Sequence, residues 1–99
     1  MNISPGDIRR PTAVNVILSA DTLTVELSDG RALSVPLAWY PRLLHATQPE
    51  RAHWRLIGRG EGIQWPGIEE DLSVDGLLAG RPSKESAASL KTWLNARGL

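Results

Sequence analysis

Near its start the chain has two stretches in which apolar and polar residues alternate, residues 14–18 and 23–27. A period of two places the apolar side chains of a strand on one face, so each stretch predicts a half-buried β-strand. The turn at Ala20-Asp21 joins them as an antiparallel hairpin, and one register puts all six apolar side chains on the same face. Its pairs are Leu18 with Leu23, Val16 with Val25, and Val14 with Leu27.

A second hairpin is predicted at Asp29-Gly30, a dipeptide typical of tight turns between strands. A two-residue loop would turn Leu33 and Val35 away from the apolar face. A three-residue loop, Ser28-Asp29-Gly30, keeps them on it, as a type I turn followed by a bulge with Gly30 left-handed. The third strand, which Pro36 ends, then continues the meander. Its pairs are Val25 with Leu33 and Leu23 with Val35.

Short helices are predicted after this meander. Residues 37–44 have helical spacing, and Pro41 is tolerated in a first turn. Thr47 with Glu50 three residues later forms a capping box, which predicts that another helix begins there and runs through His53.

The second half of the chain returns to short strands before a final helix. Residues 54–57 and 63–65 predict a fourth and a fifth strand, joined by a glycine-rich turn. Ser73 is a suitable cap for a short helix that Gly80 ends. From residue 84 to residue 97 the apolar spacing of three and four predicts a C-terminal helix.

These elements predict an α+β fold of two layers. We expect an antiparallel meander of about five strands, with the short helices and the C-terminal helix on one face. A length of 99 residues corresponds to a single domain, which we place at residues 13–99. Residues 1–12, punctuated by Pro5-Gly6 and Pro11, predict a flexible N-terminal arm.

Composition excludes several classes of protein. The absence of cysteine excludes a disulfide-stapled fold, a thiolate zinc site and a cysteine nucleophile. No apolar run is long enough for a membrane helix, and no secretory signal is found, so we expect a cytoplasmic protein without a membrane partner. The 11 basic and 11 acidic side chains give zero formal charge, which removes the simplest argument for nucleic acid binding.

Residues 61–75 carry five acidic side chains and no basic one. A carboxylate site for calcium or magnesium needs several oxygens, but the spacing of a calcium loop is absent. The pattern therefore favours a solvated acidic loop, with Glu69, Glu70 and Asp71 as an acidic surface that a basic partner could contact.

No catalytic, metal or cofactor site is predicted. The glycines at 58, 60 and 62 fit neither a P-loop nor a dinucleotide fingerprint and indicate a tight hairpin. No serine lies in a nucleophile elbow, so no hydrolase triad is predicted. His45 and His53 are the only histidines, and both are expected on the surface. We therefore predict that the protein is not an enzyme.

The aromatic residues suggest where a protein partner would bind. Trp39 and Tyr40 lie on a predicted short helix whose leucines can already cover the sheet. An aromatic left partly exposed beside Arg42 has the composition of a binding hot spot. Trp39, Tyr40 and Arg42 are thus the predicted contact surface. Trp65, in contrast, shares a strand face with Ile63 and is expected in the core.

A nucleic-acid interface is the alternative. A tryptophan among arginines can stack on single-stranded bases. The side chains that would form such a basic edge are Arg42, Arg51, Arg55 and Arg59, with Trp54 among them. No helix-turn-helix, zinc finger or RNA-recognition motif accompanies them.

One segment carries a family resemblance. The motif Trp65-Pro66, then Glu70-Asp71-Leu72-Ser73, then Gly76-Leu77-Leu78 resembles the bacterial family called domain of unknown function 2442. The similarity runs from about residue 14 to residue 82. It implies a small two-layer α+β fold and no known catalytic residue. Some relatives carry an added helix-turn-helix domain, and many are encoded beside another small protein, which implies a protein partner.

The function predicted from the sequence is a non-catalytic protein-interaction module. It would be a partner, or an antitoxin-like or regulatory component, of a small bacterial two-protein system. A nucleic-acid-binding accessory protein is the alternative, followed by a small metal-dependent enzyme. The sequence leaves the partner's identity and the oligomeric state open.

Overall fold

Six antiparallel strands form two three-stranded sheets in residues 10–98, the part of the chain that the computed structural model describes. In each sheet the strands lie side by side in the order in which they occur along the chain. The prediction of an α+β fold is confirmed. The prediction of a single meander of about five strands is wrong, because the strands divide into two sheets and a sixth strand is present.

The first sheet has the predicted topology. Its strands are β1 (Ala13–Leu18), β2 (Thr22–Leu27) and β3 (Ala32–Pro36). The three-residue loop is confirmed, because Gly30 has a φ of 92° and the amide of Leu27 donates to the carbonyl of Arg31. The predicted pairs that the structure contains are Leu18 with Leu23, Val16 with Val25, Val25 with Leu33, and Leu23 with Val35.

The start of β1 departs from the predicted register. A bulge between Ala13 and Asn15 pairs Leu27 with Ala13 instead of Val14. Ala13 is consequently 3% exposed and Val14 is 54% exposed. The bulge lies where the glycine turn before the fifth strand packs on β1. The contact is so close that a side chain at position 60 would not fit, because a Cβ at Gly60 would come within 2.5 Å of the Ala13 carbonyl oxygen. An extra residue in one strand shifts every side chain beyond it to the other face.

The second sheet consists of β4 (Arg55–Ile57), β5 (Gly62–Trp65) and β6 (Glu70–Ser73). The strand β6 lies within the stretch predicted to be a solvated acidic loop, so that prediction is wrong for residues 70–73. Leu72 is the only buried residue of β6. A strand with one apolar side chain shows no alternation of apolar and polar residues in the sequence. Its strand conformation comes from the hydrogen bonds that it forms with β5.

Four α-helices complete the described chain: α1 (Pro41–Leu44), α2 (Gln48–Ala52), α3 (Val74–Leu78) and α4 (Ala87–Ala96). The predicted caps are confirmed for α2, where Thr47 and Glu50 form the capping box, and for α3, where Ser73 accepts from the Gly76 amide. The continuous helix predicted over 37–44 is wrong. A 3-10 turn and α1 are separated at Tyr40, whose φ of −128° and ψ of 83° are not helical.

The core lies between the two sheets and α1 and α3. Trp65 is 0% exposed, as predicted, and its indole Nε1 donates to the Arg51 carbonyl at 3.1 Å. Its buried neighbours come from both sheets and from the helices; they include Leu23, Leu37, Tyr40, Leu43, Ile63, Ile68 and Val74. Of the predicted N-terminal arm, residues 1–9 lie outside the described residues, and Thr12 exchanges backbone and side-chain hydrogen bonds with Ser28.

Candidate functional site

The predicted contact surface of Trp39, Tyr40 and Arg42 is not an open surface. Tyr40 is 2% exposed, and its hydroxyl donates to the Arg81 carbonyl at 3.1 Å. The break in the helix at Tyr40 turns this ring into the core, so the expectation of an available aromatic is wrong for Tyr40. Trp39 packs half-buried against the core and keeps an exposed part. The surface predicted there consequently retains Trp39 alone as an accessible aromatic.

Arg42 belongs to a set of side chains that fastens α4, which we call the α4 clasp: Arg42, Glu50, Glu85, Trp93 and Arg97. Arg42 donates to both oxygens of Glu85, at 2.7 to 3.0 Å, and to the Ile68 carbonyl at 3.1 Å. Arg97 donates to Glu50 at 2.6 and 2.8 Å. The Trp93 ring lies 5.2 Å from the Arg42 guanidinium and 4.4 Å from that of Arg97. No residue of α4 is fully buried, so these polar contacts and the packing of the half-buried Trp93 against the core hold the helix in place.

The clasp carboxylates are held in their ionised forms. Hydrogen bonds from Arg97, with further ones from the backbone and side chain of Thr47, lower the pKa of Glu50 to about 2. Hydrogen bonds from Arg42 lower the pKa of Glu85 in the same way. Each bond to a charged acceptor favours the charge, so the clasp is complete at neutral pH.

The predicted acidic surface is divided by the structure. Glu69 and Asp71 are exposed, whereas Glu70 is half-buried beside a cavity of about 240 Å³ that Tyr40, Ser73 and Arg81 also line. Burial raises the pKa of Glu70, and the nearby Glu85 carboxylate raises it further. The alternation of β6 turns Glu70 inward, so the acidic surface consists of Glu69 and Asp71.

We expect Glu70→Gln to raise the free energy of unfolding at pH 7. The folded-state pKa of Glu70 is above its unfolded value, so its ionised form destabilises the folded protein. The gain should disappear as the pH falls below about 4.3, where the carboxyl is protonated in both states. Urea unfolding at pH 7 and pH 4 measures this difference.

The control for this substitution is Glu69→Gln, the same change at the exposed neighbour, which should alter stability by less than about 0.5 kcal/mol. A loss of stability in Glu70→Gln at pH 7 would contradict the prediction. It would show that the attraction between Glu70 and Arg42 outweighs the cost of burial.

The predicted basic edge is largely engaged with the protein itself. Arg51 donates to the carbonyls of Leu43 and Leu44, at 2.9 and 2.7 Å, and Arg55 donates to the side chain of Gln64. Arg42 is in the clasp, which leaves Arg59, exposed at the hairpin tip, as the member of the four without a side-chain hydrogen bond in the described chain.

His45 and His53 are exposed, as predicted. Within residues 10–98, no three histidine or carboxylate side chains lie close enough together to hold a metal ion.

The structure shows an open surface that sequence reasoning missed, the free edge of β1. Within residues 10–98, β1 pairs with β2 and with no other strand. The Ser19 amide donates to the Thr22 carbonyl at 2.9 Å, so the backbone groups of Ser19 face β2. Along an antiparallel strand every second residue faces the partner, so the backbone groups of residues 17 and 15 also point towards β2. The backbone groups of Val16 and Leu18 therefore point outward. Ile17 presents a side chain that is 51% exposed.

A groove of about 600 Å³ lies beside this edge, between the end of β1 and α2. Six of the nine described residues that line it are apolar, but its exposed surface is mixed in polarity, and Arg51 is the one charged residue among the nine. The residues contributed from beyond the strand are Gln48, Arg51, Ala52 and Trp54. A concave surface next to unpaired backbone groups can bind both the main chain and the side chains of an extended segment.

The other three sheet edges of the described chain carry features that discourage pairing. The strand β3 ends in Pro36, β4 has three residues including the exposed Arg55, and β6 begins with Glu70-Asp71. Charges, prolines and short length are the usual means by which proteins protect an edge. The six residues of β1 include no charge and no proline. In the sequence, residues 11–20 are uncharged, a pattern that fits an open edge but equally fits a strand inside a sheet.

No helix of residues 10–98 is both long and apolar enough to span a bilayer. The fold is similar to two solved structures. A protein of unknown function from Rhodospirillum rubrum is 25% identical with a TM-score of 0.66, over 83% of this chain and 99% of that one. An uncharacterised protein from Chromobacterium violaceum is 24% identical with a TM-score of 0.63, over 82% and 74%.

None of the curated proteins matches the sequence. A family model does match, over residues 13–83, and this range includes both sheets and the Trp65 to Leu78 motif. The resemblance found in the sequence is thereby confirmed: the chain belongs to the family described as Protein of unknown function (DUF2442).

Proposed function

We propose that this protein is a non-catalytic protein-interaction module that binds an extended protein segment along the open edge of β1. The observation that carries the proposal is the unprotected edge itself: an uncharged six-residue strand with a half-exposed Ile17 and a groove beside it that Trp54 lines. An antitoxin-like or regulatory role in a bacterial two-protein system is in keeping with such a surface, since both roles consist of binding another protein.

The geometry supports binding by strand addition. Val16 and Leu18 each offer one amide and one carbonyl, so a segment of about five residues can form four main-chain hydrogen bonds. Each such bond contributes about 1 kcal/mol net of its exchange with water. Specificity then comes from side chains of the added strand, which alternate between Ile17 on the outer face and the Trp54 groove on the inner one.

The proposal predicts that protein capture depends on Ile17. We would immobilise the wild-type protein, expose it to native bacterial lysate and identify the retained proteins by mass spectrometry. Ile17→Lys places a charge on the outer face of β1 and should abolish retention of at least one protein that the wild type holds. Because the Ile17 side chain is half-exposed, the substitution should leave the circular dichroism spectrum unchanged.

The matched control is Leu56→Lys, the same change at an exposed leucine of another edge strand. It should capture the same proteins as the wild type. If every protein retained by the wild type is also retained by Ile17→Lys, β1 is not the binding edge and the proposal fails.

A further inference from the structure

We infer that the strand which completes the edge of β1 is β1 of a second copy of this chain, antiparallel to the first about a twofold axis at Ile17. The inference rests on the proposed function, because it names the occupant of the binding edge. The two first sheets would then join into one continuous sheet of six strands, a common size for a sheet.

The outward backbone groups restrict the register. In an antiparallel pair, hydrogen bonds form only between residues whose amide and carbonyl groups both face the partner strand. On β1 these are Val16 and Leu18. Pairing Val16 of one copy with Leu18 of the other forms all the available bonds around the axis and places Ile17 opposite Ile17. Shifting the strands by two residues in either direction would instead place Ile17 opposite Asn15 or Ser19.

The register centred on Ile17 pairs side chains of the same kind. On the outer face, Ile17 packs on its own counterpart, and Asn15 lies opposite Ser19. On the inner face, Val16 lies opposite Leu18, towards the groove that contains Trp54. Adjacent paired side chains of like polarity stabilise a strand pair, so this surface is complementary to itself. An interface around a twofold axis requires this property.

Charge also favours a second copy over a charged peptide. The one charged side chain that lines the groove is Arg51, and two of its guanidinium nitrogens already donate to backbone carbonyls. Residues 11–20 carry no charge, so no like charges meet across the axis. The formal net charge of the chain is zero, so two copies approach without long-range repulsion.

The register can be tested by a disulfide, because the chain contains no cysteine. Opposed residues of a non-hydrogen-bonded pair have Cα atoms about 4.5 Å apart, within the range that a disulfide spans. Under mild oxidation Ile17→Cys should therefore convert into a covalent dimer. Val14→Cys is the control, because Val14 is 54% exposed but lies about 20 Å from its counterpart in this register. It should remain largely monomeric on a non-reducing gel.

Sedimentation of the uncoupled proteins completes the test. The wild type and Leu56→Lys should dimerise reversibly as concentration rises, whereas Ile17→Lys should stay monomeric. A monomeric wild type at several hundred micromolar, or cross-linking of Val14→Cys as fast as Ile17→Cys, would overturn the inference. If the wild type is monomeric but lysate capture still depends on Ile17, the second copy is wrong and strand addition by another protein stands. If capture does not depend on Ile17 either, both proposals fail.

Discussion

Trp65→Ala is expected to lower the free energy of unfolding by about 3–5 kcal/mol, the usual cost of truncating a fully buried aromatic to alanine. Trp65 is 0% exposed and lies where β5 meets the helices. The substitution leaves a cavity that the surrounding side chains cannot fill, and it removes the indole donor from the Arg51 carbonyl. Stability of a domain this size is about 5–15 kcal/mol, so much of it would be lost. Urea unfolding followed by circular dichroism measures the change.

Trp39→Ala is the control for this experiment. Trp39 is half-buried, so the same truncation removes less packed surface and should leave the fold intact at a cost of about 1–2 kcal/mol. A larger loss for Trp39→Ala than for Trp65→Ala would mean that the packing of the 3-10 turn, and not the centre of β5, limits stability.

Arg42→Ala is expected to release α4 and to cost about 2–3 kcal/mol, just below the range for breaking a fully buried ion pair, because this pair is largely but not completely buried. The Arg42 and Glu85 side chains are 17% and 10% exposed. Without Arg42, the largely buried Glu85 carboxylate loses its charged partner and keeps, within residues 10–98, only the Ser89 hydroxyl as a side-chain donor. The Ile68 carbonyl loses its donor, and Trp93 loses one of its two cations. Hydrogen exchange should show α4 amides losing protection while the amides of β2 keep theirs.

Arg31→Ala provides the matched control. Arg31 also pairs with a carboxylate, Asp29, but the two side chains are 60% and 35% exposed. Water solvates both charges when the pair is broken, so the loss of stability should be much smaller than that of Arg42→Ala. Equal losses in the two variants would contradict the view that burial makes the Arg42 pair stronger.

Local patterns were sufficient to predict the first sheet. The strands β1, β2 and β3 follow one another through short loops, so parity along the chain determined which side chains face each other. The three-residue loop, Gly30 and the capping box at Thr47 all depend on residues within a few positions of one another. The exception is the bulge at Ala13, which places Val14 outside. Alanine and valine are both apolar, and only contact with the distant Gly60 distinguishes them.

Structure that depends on distant contacts could not be predicted. The strand β6 has a single buried side chain, so its order comes from pairing with β5 and no periodic pattern reveals it. Tyr40 and Arg42 were expected at a surface because a continuous helix was assumed. The backbone break at Tyr40 buries that ring, and Arg42 is covered by Glu85, which lies 43 residues further along the chain.

The candidate binding edge was also beyond the sequence pattern. Alternation predicted β1 correctly, but it does not state whether a strand lies at an edge or inside a sheet. The uncharged stretch at residues 11–20 was consistent with either position. Only the strand order of the structure shows that one side of β1 is unpaired within the described chain, and only the position of α2 creates the groove beside it.

The α4 clasp has a consequence for the motions of the protein. The helix α4 has no fully buried side chain and is held by the half-buried Trp93 and two ion pairs, so it can detach while both sheets remain assembled. Such sub-global opening would make α4 a separate cooperative unit, or foldon, with an opening free energy below that of global unfolding. The matched family segment ends at residue 83 and α4 begins at Ala87. The helix thus lies outside the matched segment, and its opening separates the half-buried Trp93 from the core while the sheets around Trp65 stay assembled.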